Sequence, residues 1–350
     1  MRKLLSLSPL FFVLLCSVCV LPLGVRKGLC FDSSVQVGIY YYSWYNVSDP
    51  QFWEYPKVCD KSVLGYYDSD NVSVITQHFR WMEDLHIDFV MLSWFGQYDE
   101  WWYSYVNNTV HHVFQYAKEN VTNLKFCILL EPFNKSESAT YNYQEIYDYI
   151  YDNFVVPYPT VYYNYVYKPL LVFFNDVYLT PNGDVPLDDR FTMVISGGSS
   201  YVDWFYTSDL FYYWVYKPYP RCDAIDVIPR FDNSRFGFES PPPEIADMYL
   251  TEGLYEKQWN RALKCVRDGS VHLITITSWN EFAERTAIEP HWDATGWNHD
   301  PYYLYNLTRD FMLELRGLES SSSGVWYQNP VVFGVIALGI CLGVVLLWKS

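Results

Sequence analysis

Eight short apolar segments recur along the chain with helical stretches between them, and this alternation restricts the fold more than any other feature. They are VQVGIYYYS (35–43), DFVMLSWF (88–95), NLKFCILLE (123–131), KPLLVFF (168–174), FTMVIS (191–196), VDWFYTS (202–208), AIDVIPRF (224–231) and VHLITITSW (271–279). Helical candidates lie between them, among them 74–86, 255–268 and 301–318. Eight strands alternating with helices predict an α/β fold, a (β/α)8 or TIM barrel in a single catalytic domain, with a doubly wound sheet as the alternative. The stretch 31–318, about 290 residues, suits one such barrel of ~250 residues.

In a barrel, chemistry gathers where the strands end at their C-terminal side. The first segment ends in Tyr40, Tyr41, Tyr42, Trp44 and Tyr45, the second in Ser93, Trp94 and Phe95, and the third in Glu131 and Pro132. The fourth ends in Asn175 and Asp176, and the seventh in Arg230, Asp232 and Asn233. Aromatic residues make up 20% of the chain, so most of them must fill core; the cluster at 40–45 is set apart by lying at a strand end. Aromatic faces beside carboxylates and amides suit a sugar, whose C–H faces stack on rings while its hydroxyls take hydrogen bonds. Tyr42, Trp44, Trp94, Glu131, Asn280 and Arg230 are therefore the candidate substrate-binding residues.

The eighth segment runs into TITSWNEFAERTAIEP (275–290), which places Asn280, Glu281, Glu284, Arg285 and Glu289 where a buried strand emerges. Glu281 and Glu284 are three apart, a spacing that brings side chains to one face of a turn. Two carboxyl groups flanking one bond are the machinery of a retaining glycosidase. Their proximity raises one of the two pKa values, which suits an acid that keeps its proton near neutrality. Glu281 and Glu284 are the candidate catalytic residues, and Glu289 is expected to tolerate glutamine. Competing chemistries lack their residues: there is no H-E-x-x-H, no G-x-S-x-G, no G-x-G-x-x-G and no Walker loop. No metal or cofactor is expected.

The two ends of the chain differ from its middle. Arg2 and Lys3 precede an apolar run within residues 1–30, the layout of a secretory signal or signal-anchor. A Ser-rich linker occupies 319–330, and 331–348 is an uncharged apolar run of 18 residues, near the lower limit of a transmembrane helix. Six N-x-[ST] sequons, at Asn46, Asn71, Asn107, Asn120, Asn134 and Asn306, agree with a secretory route. The expected location is a single-pass membrane protein with its domain outside the cytosol. A net charge of −16 argues against nucleic acid as a partner and leaves a neutral glycan open. Cys127 reads as a buried strand residue, and one disulfide among Cys30, Cys59 and Cys222 is open.

With these residues in view, the chain resembles glycoside hydrolase family 99, the endo-α-mannosidases, and related glycosidase-like barrels. ITSWNEFAERTAIE (276–289) is similar to the family pattern I-T-S-[FW]-N-E-W-H-E-G-T-x-I-E. GIYYYSWYN (38–46), VMLSWF (90–95), LLEPF (129–133) and YKPLLVFFND (167–176) resemble its earlier strands in the same order. The resemblance implies a retaining α-glycoside hydrolase acting through a 1,2-anhydro sugar. In it, Glu281 takes the proton of the 2-hydroxyl, Glu284 serves as acid and then base, and Glu131 and Tyr42 line the sugar subsite. Two positions depart from the pattern: Ala283 replaces its His and Arg285 its Gly. Related glycosyltransferase-like barrels of polysaccharide synthesis carry Ala at the first place. Arg285 is expected to narrow a subsite or to pair with a glutamate. A glycosyltransferase-like barrel and a non-catalytic, membrane-tethered glycan-binding protein are the alternative functions.

Overall fold

The computed structural model describes residues 35–49, 53, 58, 60–97, 101–120, 122–131, 142–165, 167–174, 187–196, 205–206, 224–231, 253–294 and 299–317. The expected signal, linker, transmembrane run and open disulfide, and the strand-end residues Asn175, Asp176, Asp232 and Asn233, lie outside them.

All eight expected strands form. They are β1 (Gln36–Tyr41), β2 (Phe89–Trp94), β3 (Lys125–Leu130), β4 (Lys168–Phe174), β5 (Thr192–Ser196), β6 (Phe205–Tyr206), β7 (Ala224–Val227) and β8 (Leu273–Ile276). They pair in parallel in the order β6-β5-β4-β3-β2-β1-β8-β7. That is the cyclic order of a barrel, in which the first strand lies between the second and the last, and it excludes the doubly wound alternative. Among the described residues no pairing joins β6 to β7, so the sheet is a curled part of a barrel. Two short antiparallel pairings flank it: Asn164–Tyr165 against the start of β4, and Lys61–Ser62 against His291–Trp292.

The helices cover the outer face. They are α1 (Val72–Asp84), α2 (Trp101–Glu119), α3 (Tyr143–Ile150, continuing as a π turn to Val155), α4 (Leu254–Arg267) and α5 (Tyr303–Leu315). In α1, Asn71 caps the first turn by accepting a hydrogen bond from Ser73 N, and Val74, Ile75, His78, Phe79 and Met82 form its buried stripe. Strand alternation then decides which side chains meet helices and which meet the barrel interior. Tyr41 meets His78 of α1 at 3.0 Å, and Trp94 Nε1 donates to Asn107 Oδ1 of α2 at 2.9 Å, so both point outward. Their neighbours Tyr42 and Ser93 therefore point inward.

At the N-terminal ends of the strands, the base of the barrel is plugged by aromatic stacking. The rings of Phe89 and Tyr163 lie 4.0 Å apart and nearly parallel. Gly38, beside Phe89 in the register, makes room for that stack, because a Cβ at this position would lie 2.3 Å from the Phe89 ring. Arg316 closes the same end, donating to Val35 O at 2.7 Å and pairing with Asp88 at 2.5 Å. A Gly38→Ala substitution should therefore overpack the base and cost about 1–3 kcal/mol. Urea unfolding should show that loss, and Phe89→Leu in the same chain should return part of it; an unchanged midpoint in Gly38→Ala would contradict this packing.

Candidate functional site

The site forms at the opposite end, where the loop after β8 folds back on itself. Ser278 N donates to Thr286 O at 3.1 Å and Thr286 N to Glu281 O at 3.1 Å, while the Ser278 and Thr286 hydroxyls meet at 2.7 Å. Glu281 N donates to Ser278 Oγ at 2.9 Å, and the Glu281 Oε1 oxygen accepts from Ala283 N at 2.9 Å. The loop thus fixes Glu281 by its backbone and by its carboxyl. Phe282, between the two glutamates, packs its ring against Tyr45, Trp53 and His291, which anchors the tip to the body of the domain.

Four of the expected site residues come within electrostatic reach of one another: Tyr42, Glu131, Glu281 and Glu284. The Tyr42 hydroxyl is held far above its ordinary value, first by burial and then by the charges of Glu131, Glu281 and Glu284. Glu131 is 5% exposed and its Oε1 accepts a 2.9 Å hydrogen bond from Ser93 Oγ. Burial nevertheless pushes its carboxyl up to about 8, with a contribution from Glu284. Glu281, 3% exposed, is raised well above the ordinary carboxylate range by burial and then by Glu284, against the hydrogen bonds it accepts from Ala283 and Glu284. Glu284 is pushed up to about 7 by burial, and its Oε2 is a buried oxygen with no hydrogen-bond partner among the described residues. Three carboxyl groups therefore gather with fewer donors than ionised oxygens need, and protons must be held among them near neutral pH.

Trp44 extends the site outward, with its ring 4.5 Å from that of Tyr42 and Phe95 and Trp102 beyond it at 6.0 and 6.4 Å. Trp94, Asn280 and Arg230 take other places than expected. Trp94 points into the layer between sheet and helix, stacked on Tyr149, because its strand position is the outward one. Asn280 is a clamp rather than a substrate ligand: its Oδ1 accepts from Tyr42 N at 2.8 Å and its Nδ2 donates to Tyr42 O at 2.9 Å. Arg230 lies in a buried ion cluster, with its nitrogens engaged by Asp60, Asp293, His291 and the Arg285 carbonyl.

Arg285 joins the same cluster through Asp60 and Asp293, so among the described residues its partners are aspartates and not the expected glutamate. Glu289, expected to tolerate glutamine, is fully buried: it accepts hydrogen bonds from Ser62 Oγ and, at 2.8 Å, from Tyr67 OH, with His78 Nε2 3.4 Å away. That expectation is withdrawn, since an amide there would turn donors toward donors. Asp60 and Asp293 carried no motif, and Ser93, though inside the VMLSWF segment at the end of the second strand, was given no role of its own.

A cleft of about 410 Å³ opens at the other end of the barrel, between Gln36, Asp88, Lys125 and Arg316. Its charges are already taken up: Arg316 pairs with Asp88, and Lys125 donates to Thr160 O. No group converges there on a missing partner in the way Glu284 does. Among the described residues no cluster of His, Cys, Asp and Glu has the arrangement of a metal site.

No family model and no curated protein matches the chain. Among solved structures its fold is similar to the GH99 endo-α-mannosidase from Bacteroides thetaiotaomicron in complex with bis-tris-propane. That match has a TM-score of 0.56 and 18% identity and covers 80% of this chain and 97% of the other. A second structure of the enzyme matches with the same TM-score and identity, over 82% and 99%. A glycoside hydrolase-like protein matches with a TM-score of 0.52 and 12% identity, over 80% and 95%. At these identities the likeness is one of fold.

The raised pKa of Glu131 has a consequence for stability. Between its ordinary value of 4.5 and about 8 the folded chain holds this proton while the unfolded chain releases it. Stability therefore falls as pH rises through that window. Glu131→Gln, which never ionises, should lose less stability than the parent between pH 5 and pH 8 in urea unfolding. Equal losses in the two proteins would contradict the buried, protonated assignment.

Proposed function

We propose that the protein is a retaining α-glycoside hydrolase acting within glycans, of endo-α-mannosidase type, with Glu281 and Glu284 as the catalytic pair. The observation that carries this reading is the convergence of buried carboxyl groups, one with an unpartnered oxygen, beside Tyr42 and Trp44 at the C-terminal ends of the strands. The likeness in fold to solved glycoside hydrolases supports it.

In the first half-reaction the Glu281 carboxylate takes the proton of the sugar's 2-hydroxyl. That oxygen attacks C1, and the bond from C1 to the leaving oxygen breaks as the Glu284 carboxylic acid protonates it. In the second, the Glu284 carboxylate takes a proton from water, the water oxygen attacks C1, and the C1–O2 bond breaks with its proton returned from Glu281. Two inversions at C1 give retention, and the pair holds one proton in the reactive form. Glu131 and Tyr42 hold sugar hydroxyls, and Trp44 offers a face to sugar C–H groups.

Glu281→Gln and Glu284→Gln should each lower turnover by ~10²–10⁴-fold on a panel of defined glycans while leaving binding nearly unchanged. The two losses should not multiply, because both groups serve one step. A substrate whose leaving group needs no proton should restore part of the rate of Glu284→Gln and none of Glu281→Gln. The reactive pair holds one proton, so turnover should pass through a maximum with pH, falling at the acid end as both carboxyl groups hold protons and at the alkaline end as both lose them. Sugar transfer from a nucleotide donor, or binding without any turnover by the parent protein, would overturn the assignment in favour of a transferase or a lectin.

The same proposal takes residues 1–30 as a signal and 331–348 as a membrane anchor, supported by the apolar run and the sequons, with the domain outside the cytosol. Arg316 and Val35 meet at the base of the barrel, away from the carboxyl groups. Among the described residues no helix is long and apolar enough to cross a membrane. Deleting 331–348 should release the protein into the soluble extracytoplasmic fraction; continued membrane association would contradict a C-terminal anchor.

A further inference from the structure

Arg285 follows Glu284 directly and has a φ of +59°, a left-handed conformation in which a side chain costs roughly 1–2 kcal/mol and glycine costs nothing. A residue in this conformation must be held by its surroundings. Here the hold is ionic and comes from three directions. Asp60 accepts from Arg285 Nε at 2.9 Å and from Arg285 Nη2 at 3.1 Å, and Asp293 accepts from Nη2 at 3.1 Å. Arg230, at the end of β7, donates through Nε to the Arg285 carbonyl at 2.7 Å and through Nη2 to Asp60 at 2.7 Å, and it also pairs with Asp293. Asp60 further accepts from Ala294 N at 2.9 Å. Both guanidinium groups are almost fully buried, at 1% and 2% exposure.

Among the described residues the cluster holds two arginines and two aspartates. Burial opposes the charge of Asp60, but Arg230 and Arg285 outweigh it and keep the carboxyl below its usual range. His291 is 2.9 Å from Arg230 Nη2, and burial and then Arg230 hold it below its usual value. A buried ion network is weak evidence for stability, since apolar residues fill such space as well; fixing one geometry is its better attested use.

We infer that Asp60, acting through Arg285 and Arg230, is a positioning residue that fixes the left-handed turn after Glu284 and thereby aims its carboxyl group. The inference rests on the assignment of Glu284 as the acid, and it adds a residue more than 200 positions away in sequence to the machinery of that site. The groups that interact with Glu284 are Glu281 on its own loop, Glu131 just after β3 and Tyr42 just after β1, and the cluster adjoins it through Arg285, the next residue in the chain. Unbalancing the cluster has a definite sign. Losing Asp60's charge makes the cluster more positive and favours the ionised form of Glu284; losing Arg285's charge does the reverse.

The test uses Asp60→Asn, Arg285→Gly and the double variant, with steady-state kinetics on a cleaved glycan and carboxyl NMR titration of Glu284. Asp60→Asn should lower kcat by about 10–100-fold with KM within about threefold, since misplacement of a reacting group costs up to ~10²-fold. The Glu284 titration should move down in Asp60→Asn and up in Arg285→Gly. The double variant removes one charge of each sign and puts glycine at the left-handed position. It should regain at least tenfold of the lost kcat and return the titration to that of the parent. A double variant no better than Asp60→Asn, or single variants that leave the titration in place, would overturn the inference. If Asp60→Asn does not fold, the upward shift in Arg285→Gly decides alone. If the parent protein cleaves no glycan, the hydrolase assignment falls, while the opposed titration shifts still decide whether the cluster acts on Glu284.

Discussion

The amide of Asn280 takes both backbone polar groups of Tyr42, and the rest of the site depends on that clamp. It ties the end of β1 to the loop after β8, the two neighbouring strand ends that supply Tyr42 and both catalytic candidates. Tyr45 reinforces the seam, donating through its hydroxyl to Asn280 O at 2.7 Å and accepting from Phe282 N at 3.1 Å. An amide can donate and accept at once, which a carboxylate cannot, so the residue between Trp279 and Glu281 has to be Asn or Gln in kind. The clamp occupies what would otherwise be a substrate ligand and fixes instead where the ligands point.

Two kinds of buried charge lie behind this seam, and they are handled in opposite ways. Glu131, Glu281 and Glu284 have few donors, so burial raises all three and keeps protons among them. Asp60 and Asp293 are paired with Arg230 and Arg285, and the two arginines keep the Asp60 carboxyl below its usual range. The first arrangement keeps protons within the group; the second holds backbone in place. Had Arg230 reached the carboxyl groups instead, it would have stabilised their ionised forms and removed an acid from the site. Its diversion into the cluster is therefore consistent with acid–base work next door.

The fold was legible because parallel strands covered by helices are short, apolar and regularly spaced, and each of the eight segments holds a strand. That the glutamates after β8 would gather was legible because charge immediately after a buried strand has few structural explanations. What escaped was side-chain direction and long-range pairing. Trp94 and Ser93 are adjacent, and only the pleat decides that the serine faces Glu131 while the tryptophan faces a helix. Glu289 looked like a loop carboxylate because Ser62, Tyr67 and His78, its partners, lie more than 200 positions earlier. Asp60 had no signal at all, since its meaning comes entirely from two arginines on other elements.

The central claim is that Glu281 and Glu284 act on one α-glycosidic bond by two successive displacements at C1. The most direct measurement is the anomeric configuration of the first product released from an α-linked glycan, followed by proton NMR before mutarotation. The account predicts that the α anomer appears first and the β anomer only as the sugar equilibrates. A β anomer formed first would mean a single displacement by water and would contradict the roles given to the two glutamates.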